Sequence, residues 1–208
     1  MNYYLDITLL PDAEANLGFL WQKVFQQVHI ALVDNKVGDN ESAVAVSVVG
    51  YRDKGFPLGN QLRLLAASED VLQKLDIHRW LNRLSDYCHI KPIKSVPSDV
   101  TQYARFTQKR VKGEGRIEAQ LFKKAKHISE KFKVDYETCL AELKAKSQYV
   151  KSPLPFINVE SQQTKKREGQ GVSCQFLLFI EQTLFDEPVN GKFDCYGLSK
   201  TATVPWFK

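Results

Sequence analysis

Two apolar runs, the β-branched "SAVAVSVVGY" (42–51) and the leucine-rich "QLRLLAA" (61–67), flank the turn-prone stretch "RDKGFPLGN". A pair of this kind reads as two adjacent strands, and its apolar residues demand a cover. The flanking sequence supplies one on each side. "YYLDITLL" (3–10) alternates between two faces and stops at Pro11, as a first strand does, and an amphipathic helix follows over about 17–33 with Leu17, Leu20, Val24, Val28 and Leu32 as its buried stripe. After the strand pair, Ser68 stands at a helix N-cap with Glu69 and Asp70 in the first turn, "HRWLNRLSDY" continues helically, and "CHIKPIKSVP" returns as a strand. The resulting order, β-α-β-β-α-β over residues 1–97, predicts a ferredoxin-like (RRM-like) domain.

Past Pro97 the pattern changes. Residues 101–112 are polar, basic and extended in character, Gly113 and Gly115 interrupt them, and a basic helix follows over about 116–132. A second helix begins near Asp135. From Pro153 the chain reads as β structure: "LPFINVES", a loop "QQTKKREGQG", then "VSCQFLLFIEQ" and "KFDCYGL". The expected fold class is therefore α+β, with a ferredoxin-like domain at 1–97 and a mixed helix and strand domain at 98–208 that carries the basic helix.

The 208 residues are 43% hydrophobic, enough for a core, and contain no apolar run approaching the ~18 residues of a membrane span. Acidic residues interrupt an N-terminus that lacks a basic leader region, so a cytoplasmic protein with no membrane partner is expected. Cys88, Cys139, Cys174 and Cys195 are dispersed without a C-x-x-C pair, which points to reduced thiols and to no metal site. "GEG" and "GQG" lack the spacing of a phosphate-binding loop, and no H-E-x-x-H motif occurs. No cofactor is expected. Any chemistry falls to His, Ser and Tyr side chains.

The net charge is +5, and its location says more than its size. Arg116, Gln120, Lys123, Lys124 and His127 recur at helical spacing on one face of the basic helix, while Ile117, Leu121, Ala125 and Ile128 form another. Such a face is either solvated or a phosphate grip. A second cluster, Lys165–Lys166–Arg167, lies in a distant loop. In the first helix His29 follows Val28 at the edge of the apolar stripe, where a side chain can be a structural hydrogen-bonding group or can reach a cleft.

"YLDITLLPD" at the start, "VHIALV" around His29, "LPFINVESQQT" (154–164), "FLLFI" (176–180) and "CYGLSKTATVPWF" at the end together resemble the type I-F CRISPR endoribonucleases, which cut precursor CRISPR RNA within each repeat. The match runs through almost the whole chain in the family's order, and the middle third matches only in character. The resemblance implies a catalytic trio of His29, Ser161 and Tyr196, and implies that Phe176 stacks under the last base pair of the RNA stem. Gln163 stands where the family has a second serine. The resemblance further implies an arginine with a polar partner reading two bases at the stem foot, here Arg105 with Thr107 or Gln108, and a basic helix binding RNA through Arg116, Gln120, Lys123 and Lys124. Lysine lacks the bidentate fork of the arginines usual there. The implied activity is metal-independent cleavage by the ribose 2′-hydroxyl, with the cut hairpin retained inside a multi-subunit, RNA-guided surveillance complex. The alternative is a non-catalytic subunit that binds the hairpin without cutting. A DNA-binding regulator is a distant third, since no helix-turn-helix is visible.

Overall fold

The computed structural model describes residues 1–111, 114–146, 152–160 and 175–207. It begins with strand β1 (Tyr3–Leu9) and helix α1 (Leu17–Asp34), followed by strands β2 (Val44–Val48) and β3 (Gln61–Ala66). Helices α2 (Glu69–Leu75) and α3 (Ile77–Leu81) and strands β4 (Cys88–Ile90) and β5 (Lys94–Ser95) complete the first sheet's elements. The strand order is β2-β3-β1-β4 with β5 also pairing β1, and every pairing is antiparallel. That is the ferredoxin-like arrangement expected for residues 1–97.

Local chemistry explains the elements. Asn16 caps α1 by accepting the Phe19 amide at 3.0 Å. The buried stripe is wider than expected, because Trp21 and Phe25 join Leu20, Val24, Val28, Ala31 and Leu32 while Leu17 is only half-buried. Trp21 can enter the core because its indole N–H donates to the Gly59 carbonyl at 2.8 Å. Ser68 occupies the N-cap of α2 without a capping bond from its hydroxyl, and Asp76, at φ 44°, separates α2 from α3.

A second antiparallel sheet, in the order β7-β8-β6-β9, is built from β6 (Tyr103–Lys109), β7 (Phe156–Glu160), β8 (Gln175–Phe185) and β9 (Val204–Pro205). Its inward residues Ala104, Phe106, Ile157, Val159, Leu178 and Ile180 share one hydrophobic core with α1 and the first sheet. The Tyr51 hydroxyl also donates to the Ile180 carbonyl at 2.8 Å. By packing, the compact units are therefore 1–109 with 154–208, and 110–153. The boundary at residues 97 and 98 separates the two sheets rather than these units.

The C-terminal "VPWF" is a fastening. β9 pairs with Tyr103 and Ala104, and the Trp206 amide donates to the Gln102 carbonyl. The buried Arg63 guanidinium grips both oxygens of Asp6 (2.7 and 3.1 Å), donates to the Phe207 carbonyl, and lies 4.6 Å from the Tyr4 ring centroid and 3.9 Å from that of Phe207.

The unit 110–153 is a helical hairpin of α4 (Glu114–Phe132) and α5 (Tyr136–Lys146). Ala125, Cys139 and Leu140 are buried between the helices, flanked by Leu121, Ile128, Tyr136 and Leu143. Lys144 bridges to Glu118 at 3.6 Å. Among the described residues no helix is long and apolar enough to cross a membrane.

Candidate active site

One expected strand is absent, and its replacement makes the site. "KFDCYGL" forms a tight turn rather than a strand, because the Asp194 carboxylate accepts the backbone N–H groups of Tyr196 (2.8 Å) and Leu198 (3.0 Å). Burial, the largest influence, pushes the Asp194 carboxyl above its usual range, while these amides pull it back. Gly197 adopts φ 70°, a left-handed conformation that favours glycine. A methyl group there would come within 2.5 Å of Val46 Cγ2. The close approach lets the Val46 amide donate to the Gly197 carbonyl at 2.8 Å, which pins the turn to β2.

This turn presents Cys195 and Tyr196 to α1. His29 Nδ1 lies 2.8 Å from the Cys195 carbonyl oxygen. A carbonyl only accepts, so Nδ1 carries the proton in the neutral ring, and Nε2 keeps its lone pair. The imidazole stacks on the Tyr196 ring, with centroids 4.0 Å apart and planes 11° apart. Phe25, one turn earlier on α1, lies parallel to the same Tyr196 ring at 6.3 Å. Burial lowers the His29 pKa below its usual 6.5, outweighing the opposing effect of the Cys195 carbonyl. Burial, then the nearby Asp194, raises that of the Tyr196 phenol. A neutral imidazole with one free lone pair, stacked on a neutral phenol, has the chemistry to accept a proton.

Phe176, on β8, meets Tyr196 edge-on at 6.5 Å. His29, Tyr196 and Phe176 are thus brought together. Ser161 and Gln163, and the Lys165–Arg167 cluster, lie outside the described residues. Glu160, which ends β7, donates its amide to Gln26 Oε1 on α1 at 2.9 Å. Arg105 and Thr107 share one face of β6, whereas Gln108 falls on the face of Ala104 and Phe106. The Arg105 guanidinium lies 4.6 Å from the Phe185 ring centroid, and its Nε is buried with no partner among the described residues. Arg116, Gln120, Lys123 and Lys124 are exposed on α4, in the other unit. Among the described residues no three His, Cys, Asp or Glu side chains converge to hold a metal ion.

The Cys195 carbonyl, Gly197, Asp194 and Gln26 are site elements that sequence reasoning missed. The D-x-Y-G order of the turn was the available signal for two of them.

The fold and this histidine–tyrosine centre define a class. Residues 4–207 match the family described as CRISPR-associated protein (Cas_Csy4), and the chain belongs to that family. Among its relatives is the CRISPR-associated endonuclease Cas6/Csy4 of Escherichia coli (strain UTI89 / UPEC), 30% identical over 208 residues and all of both chains. The CRISPR-associated endonuclease Cas6/Csy4 of Pseudomonas aeruginosa (strain UCBPP-PA14) is 31% identical over 209 residues, again covering both chains in full. A solved structure titled "An RAMP protein binding different RNA substrates" covers 98% of this chain and 99% of its own, with 8% identity and a TM-score of 0.35.

Proposed function

We propose that the chain is an endoribonuclease that cuts precursor CRISPR RNA at the repeat stem-loop without a metal ion, using the ribose 2′-hydroxyl beside the scissile phosphate as nucleophile. The observation that carries this reading is the bond between His29 Nδ1 and the Cys195 carbonyl under the Tyr196 stack, which leaves Nε2 as a base on a neutral ring. His29 takes the proton from O2′, the O2′–P bond forms, and the P–O5′ bond breaks. The departing O5′ takes a proton from water and His29 returns the one it accepted to solvent, so the products are a 2′,3′-cyclic phosphate and a 5′-hydroxyl. Ser161 holds the 2′-hydroxyl, and Tyr196 orients the imidazole.

Phe176 stacks under the stem, Arg105 and Thr107 read bases at its foot, and α4 grips phosphates through Arg116, Gln120, Lys123 and Lys124. The shared face of Arg105 and Thr107 favours this pair over Arg105 with Gln108. The enzyme then keeps the cleaved hairpin as a subunit of a type I-F surveillance complex. Family membership and the names of the relatives support the activity.

The test is a gel assay in EDTA with the CRISPR repeat hairpin from the same genome, in all-ribose form and with one deoxyribose at the scissile position. Cutting of the ribose hairpin alone is expected. Comparable cutting of both would refute 2′-hydroxyl attack, and cutting of neither while both bind would favour the non-catalytic subunit.

A further inference from the structure

Beyond the Arg105–Thr107 pair, the outer face of the second sheet carries residues that the reading above leaves without a role. Alternation along β6, β7 and β8 sends Ala104, Phe106, Ile157, Val159, Leu178 and Ile180 into the core, so Arg105, Thr107, Lys109, Phe156, Asn158, Leu177 and Phe179 take the opposite side. The register aligns three of these in one row across the sheet, since Lys109 pairs with Phe179 and Phe179 pairs with Phe156. The two rings lie 5.4 Å apart at 54°. Phe156 is 42% exposed and the neighbouring Leu177 46% exposed. Lys109 sits at the rim, bridged to Glu181 at 2.8 Å with both side chains open to water.

Aromatic rings on adjacent strands beside the exposed Lys109 suit one kind of occupant. A nucleobase is flat enough to stack on a ring, and its phosphate finds a cation one strand away. An apolar protein surface fits this face less well, because Arg105, Lys109, Glu181 and Asn158 interleave with the hydrophobic residues and would each need a partner when buried.

We propose that the Phe156–Phe179 pair is a stacking platform for one or two unpaired nucleotides of RNA, with Lys109 taking an adjoining phosphate. The platform rests on the RNA-cleaving reading and extends it to single-stranded sequence flanking the hairpin.

The experiment uses the full chain and the CRISPR repeat hairpin from the same genome in three forms: trimmed to the stem-loop, or with a six-nucleotide unpaired flank, bearing 2-aminopurine, on the 5′ or on the 3′ side. The expected result is tighter binding and quenched fluorescence for one of the flanked forms. Phe156→Leu with Phe179→Leu, which keeps the apolar bulk and the fold but removes the rings, should lose the quenching and weaken that flanked form by roughly 5- to 150-fold, leaving the trimmed hairpin unaffected. Phe156→Tyr with Phe179→Tyr should retain both signals. Flank-dependent binding that survives the leucine pair, or no flank dependence in the wild type, would overturn the platform while the cleavage reading stands. Failure to bind any of the three hairpins would overturn both.

Discussion

The general-base role proposed for His29 makes a prediction that separates chemistry from architecture. His29→Ala removes the Nδ1 hydrogen bond to Cys195 and the stack on Tyr196. A hydrogen bond contributes about 0.5–1.5 kcal/mol net and an aromatic pair a similar amount, so the fold should lose about 1–3 kcal/mol, less than the ~5–15 kcal/mol typical of a native protein. Loss of the base should slow cutting by roughly 10²–10⁴, and hairpin affinity should stay close to wild type because the cations are untouched. In the wild type, burial lowers the His29 pKa from 6.5. The single-turnover rate should therefore be flat at neutral pH and fall about tenfold per unit only below that depressed pKa.

The same shift acts on stability. The unfolded chain binds a proton at His29 more readily than the folded one, so this contribution is fully present above pH 6.5 and is lost as pH falls through the folded-state pKa. Quench-flow cleavage from pH 5 to 8, beside filter binding and thermal melts, measures all three quantities. A variant that cuts within tenfold of wild type, or one that loses binding as much as rate, would refute the argument.

Other expectations follow from the same geometry. Tyr196→Phe keeps the ring under His29 and should hold the cleavage rate within about tenfold, whereas Tyr196→Leu frees the imidazole and should cost about 10²; equal effects would tie the role to the hydroxyl. Lys123→Ala with Lys124→Ala should lower the slope of log affinity against log salt by roughly 1.4–1.8, and an unchanged slope in a salt titration would place the RNA on another face. Arg63→Ala strands the Asp6 carboxylate in the core and should cost about 3–5 kcal/mol, seen as a melting temperature about 6–20 °C lower. A drop of under 3 °C by calorimetry would show the fastening to be idle.

What could be read from the sequence divides along a physical line. The hairpin at 42–67 and the stripe of α1 were legible because burial on one face imposes a period, and a period survives in a single sequence. The turn at 194–198 was not legible as such. Its residues alternate like a strand, and only the Asp194 carboxylate accepting two backbone amides, together with Gly197 at positive φ against Val46, overrides that pattern. The proposed chemistry depends on this exception: as a strand, the segment would hydrogen-bond the Cys195 carbonyl to a neighbouring amide instead of leaving it for His29. The terminal "VPWF" shows the converse. It carried much of the family resemblance, yet its residues pair with β6 and clamp Arg63 rather than enter the active site. Its specificity is that of a closing element on a shared core, which only a correctly folded pair of sheets can accept. The packing units were hidden for a related reason, since Ala104, Leu178 and Ile180 contribute to the same core as Val24 and Phe25, and no sequence period spans residues so far apart. His29 stood at the edge of a period, where sequence alone allowed a structural or a cleft role; the Cys195 carbonyl, 166 residues away, is what orients its free lone pair.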